Sequence, residues 1–229
     1  MSAPALAPHG TELLDDPAAD PAIVARSLGN IARANWWFGG RAAALWGIDR
    51  LLHGVPAGRP VTLLDVGTGA GDLPTAAVSR ARRAGRPLTA IGLERSPVAA
   101  ALAARKLPVV LGCAGRLPVR ERGVDIVLIS QVAHHLAPDA VVELFRAASA
   151  RARVGVVVAD LRRSELAVGA FRVGSALLGF DPVTREDGIT SVRRGYLPEE
   201  LRALVRRAGH DAQVNRRPGF RLVATWSTA

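Results

Sequence analysis

Two adjacent histidines, His134 and His135, follow an apolar run at Val124–Ser130, and Asp160 closes the next apolar run, at 154–159. If both runs are neighbouring strands of one parallel sheet, His134 and Asp160 lie side by side at the strands' carboxyl ends. An aspartate so placed holds an imidazole in one tautomer and stabilises the imidazolium formed on proton uptake. A second constellation is Asp65-Val66-Gly67-Thr68-Gly69-Ala70-Gly71, the pattern D-x-G-x-G-x-G. Its glycines let the chain turn sharply off a strand and let a ligand approach the backbone. A dinucleotide fingerprint beginning at Gly67 would need glycine where Asp72 stands, so that reading is disfavoured. Glu94 closes the apolar run 88–93 beside this loop, where a carboxylate can accept both ribose hydroxyls of an adenosine-type ligand.

The elements that must position these residues follow from the hydrophobic pattern. Short, almost wholly apolar runs at Val61–Val66, 88–93, Val109–Leu111, Val124–Ser130 and 154–159 alternate with helix-length segments at 72–84, 97–106 and 139–150. That alternation predicts an α/β fold, a doubly wound, Rossmann-like, mostly parallel sheet with helices on both faces. Upstream, helical spacing over 21–52 broken at Gly39-Gly40 predicts an N-terminal helical extension. Downstream come an apolar helix over 165–180, a polar loop over 181–194 and a helix opened by Pro198. Two closing strands near 211–217 and 220–226 are joined at Pro218-Gly219, which makes the last strand antiparallel. The domain plan is therefore a mobile arm over 1–20, a helical cap over 21–56 and one domain over 57–229 with an insertion at about 162–196.

Composition sets bounds on function. A chain of 229 residues with 49% hydrophobic residues can bury one large core. Cys113 is its single cysteine, so internal disulfides and cysteine metal clusters are excluded, and a reducing cytoplasm is the expected location. No metal is expected. The first residues carry no basic, apolar leader, and the longest apolar runs fall short of the roughly 18 to 20 residues that span a bilayer. A soluble protein without a membrane span is expected. The +10 charge is mostly arginine, with Lys106 the one lysine, and is only partly concentrated towards the C-terminus. A solvated basic surface explains it as well as a polyanion partner does.

The pieces LLDVGTGAGD, the strand ending in Glu94, GCAGRLP, VDIVLISQVAHHL and VVADL together resemble the class I S-adenosylmethionine-dependent methyltransferases. The likeness is to the branch of ubiquinone and menaquinone biosynthesis enzymes and small-molecule methyltransferases, with a hint of enzymes encoded beside polyketide synthases. It implies S-adenosyl-L-methionine as cofactor, contacted by Asp65, Gly67, Thr68, Gly69, Gly71, Glu94, Arg95 and Gln131. In the family an aspartate usually stands where this chain has Cys113, so adenine recognition would rest on main-chain groups at Cys113 and Ala114. The stretch Asn35-Trp36-Trp37-Phe38-Gly39-Gly40-Arg41 resembles the family's entrance helix. Arg41 would then pair with the cofactor carboxylate, and Trp37 or Phe38 would flank the sulfonium; core packing is the alternative for these rings.

For catalysis the resemblance implies a His134/Asp160 base, with His135 as the rival histidine. The apolar helix carrying Phe171 and Leu178, with Arg193 beyond it, falls where the family places its substrate cover. The partner so implied is a small, apolar or aromatic acceptor such as a phenolic polyketide, pyrone or quinone, methylated on a hydroxyl or an activated carbon. A nucleic-acid enzyme acting on exocyclic amines would carry [D/N]-P-P-[Y/F] where this chain reads Ser130-Gln131-Val132-Ala133. No nucleic acid is therefore expected as substrate. A non-catalytic cofactor-binding relative is the remaining alternative, and either a monomer or a homodimer is compatible.

Overall fold

The computed structural model describes residues 18–228 together with Glu12 and Asp16. Most of the arm expected over 1–20 lies outside the described residues. The elements run α1 (Pro21–Trp37), α2 (Gly40–His53), β1 (Val61–Val66), α3 (Asp72–Arg83), β2 (Leu88–Glu94), α4 (Pro97–Ala103), β3 (Val109–Leu111) and β4 (Val124–Ser130). They continue with a 3-10 turn (Ala133–His135), α5 (Pro138–Arg151), β5 (Ala152–Leu161), α6 (Glu165–Leu177), α7 (Pro182–Arg194), α8 (Pro198–Arg207), β6 (Gln213–Arg217) and β7 (Arg221–Ser227).

The strands form one seven-stranded sheet in the order β3-β2-β1-β4-β5-β7-β6. β1 to β5 are parallel, and β7 inserts antiparallel between β5 and β6. β4 is buried along its whole length, as a central strand covered on both faces must be. Successive residues serve opposite cores: Leu64, Val127, Ile129, Val156 and Val158 pack with α5 and α8 through Phe145 and Leu201. Leu63, Ile126, Leu128 and Val157 pack with α2 and α3 through Ile48 and Ala77. The strand order reverses between β1 and β4, and their carboxyl ends open the crevice where such sheets bind ligands.

One element departs from the sequence pattern. Residues 181–194, expected as a loop, form α7. Asp181 accepts a bond from the Thr184 backbone N–H and Pro182 supplies the first helical turn, while Arg193 and Arg194 sit in the last one. These are ordinary start and stop signals, outweighed in the sequence by the segment's polarity. α6 and α7 form a cover over the sheet's end, with a small core of Leu161, Ala167, Val168 and Val192 beneath it.

Candidate active site

A cavity of about 700 Å³ lies at the carboxyl ends of β1, β2, β4 and β5, roofed by α1, α6 and α7. Gly67 and Gly69 form part of its wall. Gly67 has φ +70°, and a Cβ there would run into Val132. Beneath the loop, Thr68 Oγ1 donates to Asp65 Oδ2 at 2.8 Å, and both residues are buried. Burial pushes the Asp65 carboxyl up to about 7; the Thr68 bond opposes this and the charges of Asp72 and Glu94 add to it. Asp65, Thr68 and Gly71 do not line the cavity; they stand behind its wall and shape the loop.

Glu94 faces the cavity with both oxygens already organised. Its Oε2 accepts from the Gly69 N–H at 2.8 Å, and its Oε1 accepts from the Arg95 and Ser96 N–H groups at 2.8 and 2.9 Å. Backbone donors thus hold the carboxylate in one orientation with lone pairs to spare. Arg95, Cys113 and Ala114 line the same region. This donor set fits an adenosyl group: a fixed carboxylate for two ribose hydroxyls, and a loop whose Gly69 leaves room where a side chain would stand.

On the other side of the crevice, His134 Nδ1 lies 2.6 Å from Asp160 Oδ1. The two side chains are 2% and 0% exposed. Among the described residues His134 Nε2 is buried without a hydrogen-bond partner, in a residue that lines the cavity. Burial would raise the Asp160 carboxyl, but His134, by charge and hydrogen bond, and the Leu161 N–H hold it below the usual carboxylate range. The expected neighbourhood of His134 and Asp160 is present: β4 pairs with β5, and Ser130 stands opposite Ala159. His135 also lines the cavity, its ring 4.2 Å from that of His134, with its Nε2 3.8 Å from Glu12 Oε2.

Three further residues singled out by the sequence lie off the cavity wall. Arg41 stacks on the Trp36 ring at 4.5 Å and does not line the cavity. Leu178 and Arg193 face elsewhere, Arg193 into solvent. α6 meets the cavity through Ala167, Ala170 and Phe171, because a helix presents one stripe inward and Leu178 falls beyond its last turn. Trp37 and Phe38 do line the cavity, and the Phe38 and Phe171 rings lie 5.3 Å apart.

Gln131 takes φ +55°, and its amide is committed at both ends. Its Nε2 donates to Asn35 Oδ1 at 2.6 Å, and its Oε1 accepts from Arg221 at 2.8 Å. Asn35 in turn donates to Asp72, and Arg221 Nε donates to the Phe38 carbonyl. Arg221 is buried in the wall; desolvation brings its guanidinium down to about 10, an effect partly offset by Asp160. Glu12 is buried as well, accepting from Ser191 Oγ at 2.8 Å and from Arg194 at 3.3 Å. Glu12, His134 and His135 bring one ligand-type atom each within 4.8 Å of one another. Glu12 Oε1 is already ion-paired with Arg194, so this carboxylate is committed to the wall between α7 and the arm. Arg221 and Glu12 were given no role by the sequence, and Asn35 only as part of the entrance-helix stretch; for Arg221 the visible signal was an arginine opening the apolar strand FRLVATW.

Residues 64–167 match the family model of a methyltransferase domain. Over this part the chain is similar to methyltransferase domains, and its fold is that of the class I S-adenosylmethionine-dependent methyltransferases. No curated protein matches the chain. Among solved structures it is similar to TnmH (24% identity, TM-score 0.62), with 96% of this chain covered and 62% of that one, so it spans under two thirds of that protein's length. A SAM-dependent methyltransferase from Aquifex aeolicus matches at 14% identity and TM-score 0.61, covering 92% of this chain and 99% of its own. An O-methyltransferase family 2 protein from Planctomyces limnophilus, in complex with apigenin, matches at 18% identity and TM-score 0.63, covering 95% of this chain and 65% of its own.

Proposed function

We propose that the chain moves the methyl group of S-adenosyl-L-methionine to a hydroxyl oxygen of a small, apolar or aromatic acceptor, with His134 as general base. The observation that carries this reading is the buried His134–Asp160 pair, whose free Nε2 belongs to a residue of the cavity wall. The bound cofactor supplies an electrophilic methyl; the protein's tasks are alignment, exclusion of water and removal of one proton. Glu94 holds the ribose hydroxyls, and the backbone at Gly69, Cys113 and Ala114 lines the adenosyl side. On the acceptor side, Phe38, Ala167, Ala170 and Phe171 give apolar walls that favour a phenol, pyrone or quinone-like ring.

His134 Nε2 takes the acceptor's proton while Nδ1–H stays donated to Asp160, which remains ionised and stabilises the imidazolium. Oxygen is favoured over carbon as acceptor because the base sits within one pocket wall and an ionising hydroxyl needs nothing more. The apigenin complex of the Planctomyces limnophilus protein is in keeping with a phenolic acceptor. The test is a screen of phenols, quinones and polyketide pyrones with methyl-labelled cofactor, followed by variants on the best acceptor. His134→Ala and Asp160→Asn are expected to lower turnover about a hundredfold or more, with S-adenosylhomocysteine affinity by calorimetry unchanged. His135→Ala should cost less than about tenfold. Full turnover in His134→Ala would transfer the base role elsewhere, and absence of S-adenosylhomocysteine binding to the parent protein would end the methyl-transfer reading.

A further inference from the structure

The mouth of the cavity opens beside an apolar surface that nothing among the described residues covers. Leu166, Val173 and Leu177 lie at helical spacing along one face of α6 and are 70%, 62% and 83% exposed. The C-terminal end of α1 packs directly against this helix. A Cβ on Gly174 would meet the Phe38 ring, and Arg33 donates to the Leu178 carbonyl at 2.6 Å. Trp37, which follows Trp36 and precedes Phe38, is exposed as Trp36 is. Trp37 and Ala170 border the cavity itself.

α6 itself carries one exposed acid, Glu165 beside Leu166, and one exposed base, Arg172, and further arginines stand on α1 and α2. Arg41 stacks on Trp36, Arg33 is held at the end of α6, and Arg172 is exposed beside Val173. Exposed tryptophans and aliphatics with flanking arginines are the chemistry of a surface that lies in a membrane interface. No helix among the described residues is long and apolar enough to cross a membrane. A second copy of the chain fits less well, because a two-fold contact through this face would oppose arginine to arginine. The net charge of +10 has the sign that anionic lipid attracts.

We propose that the outer face of α6, with Trp36 and Trp37, docks on an anionic lipid surface. The aliphatic side chains enter the headgroup boundary while Arg33, Arg41 and Arg172 meet lipid phosphates. Docking there turns the cavity mouth towards the bilayer. An acceptor dissolved in lipid then reaches His134 without crossing water, a consequence that rests on the methyl-transfer reading, whereas the docking does not.

The test uses the full chain with vesicles of phosphatidylcholine alone and of phosphatidylcholine with one third phosphatidylglycerol. Co-sedimentation is expected with the anionic vesicles only, and to fall as salt is raised. Leu166→Glu with Leu177→Glu is expected to reduce binding about tenfold or more, and Arg172→Ala about fivefold. Both variants should keep the parent's melting temperature and its S-adenosylhomocysteine affinity, since none of the three residues lines the cavity. No binding to anionic vesicles, or binding that survives the double substitution, would overturn the proposal. So would self-association, by analytical ultracentrifugation, that the double substitution abolishes, because the patch would then belong to a second copy. Loss of S-adenosylhomocysteine binding in the parent protein with vesicle binding intact would strike the functional reading and leave the docking standing.

Discussion

Asp65 and Asp160 are both fully buried carboxylates near strand ends, yet their surroundings drive them in opposite directions. Asp160 has a histidine and a backbone N–H to compensate burial, and its carboxyl sits below the usual range. Asp65 has one hydroxyl, with Asp72 and Glu94 nearby, and its carboxyl rises to about 7. A raised carboxyl means that the folded protein holds a proton that the unfolded chain has lost, from about pH 4 to about pH 7. Stability from this group is therefore highest below that window and falls as pH rises through it, by up to about 1.4 kcal/mol per unit. Asp65→Asn keeps an acceptor for Thr68 without the charge. Its melting temperature relative to the parent is expected to climb by about 3 to 5 °C per pH unit between pH 5 and pH 7. A difference independent of pH in a thermal-shift series would show that Asp65 is ionised throughout. Asp160 contributes with the other sign: its stabilisation is present above the ordinary carboxylate range and is lost as pH falls below it. The His134–Asp160 pair was legible in the sequence because two adjacent parallel strands fix where their ends lie. Glu12 carried no such signal, since nothing periodic leads from an arm residue to Ser191 and Arg194.

α7 shows how a helix can hide in a polar sequence. Its segment contains Gly188, Pro182 and two β-branched threonines, which lower helix propensity, while its compensations are contacts made at long range. Asp181 binds Thr184 twice, through backbone N–H and hydroxyl, and also takes a bond from Asn30 of α1 at 2.8 Å. Phe171 of α6 packs where a Cβ on Gly188 would stand. The cap is thus also a joint between the N-terminal helices and the cover. Burial would raise the Asp181 carboxyl, yet the Thr184 and Asn30 bonds hold it below its ordinary value. Asp181→Ala is expected to cost about 1 to 2 kcal/mol, the scale of a lost N-cap, or roughly 3 to 6 °C in melting temperature. Thr184→Val, which keeps the backbone half of the cap, should cost less. Equal losses in the two variants would assign the effect to the buried hydroxyl pair of Thr184 and Ser27 instead.

At the scale of the whole molecule, strand positions and the single antiparallel insertion were readable because each central strand is apolar on both faces and each connection has helical length. The way the N-terminal cap is fastened to that sheet was not. It rests on a polar chain, Asp72–Asn35–Gln131–Arg221 to the Phe38 carbonyl, whose members come from α3, α1, the end of β4 and β7. Such a chain has no sequence period, and each link becomes meaningful only once the sheet order brings β7 beside β5. Gln131 is its central member and adopts a left-handed backbone that a non-glycine residue takes at a cost. Gln131→Ala retains that backbone demand and leaves Asn35 and a buried guanidinium each short of a partner. The expected loss is about 1 to 3 kcal/mol, with unfolding still a single transition because the sheet core is untouched. Hydrogen exchange separates this from a general weakening: amides of α1 should lose protection while those of β4 and β5 fall only with global stability. Equal loss of protection everywhere would mean that α1 is held by its apolar contacts alone, and that the polar chain orients Gln131 without fastening the cap.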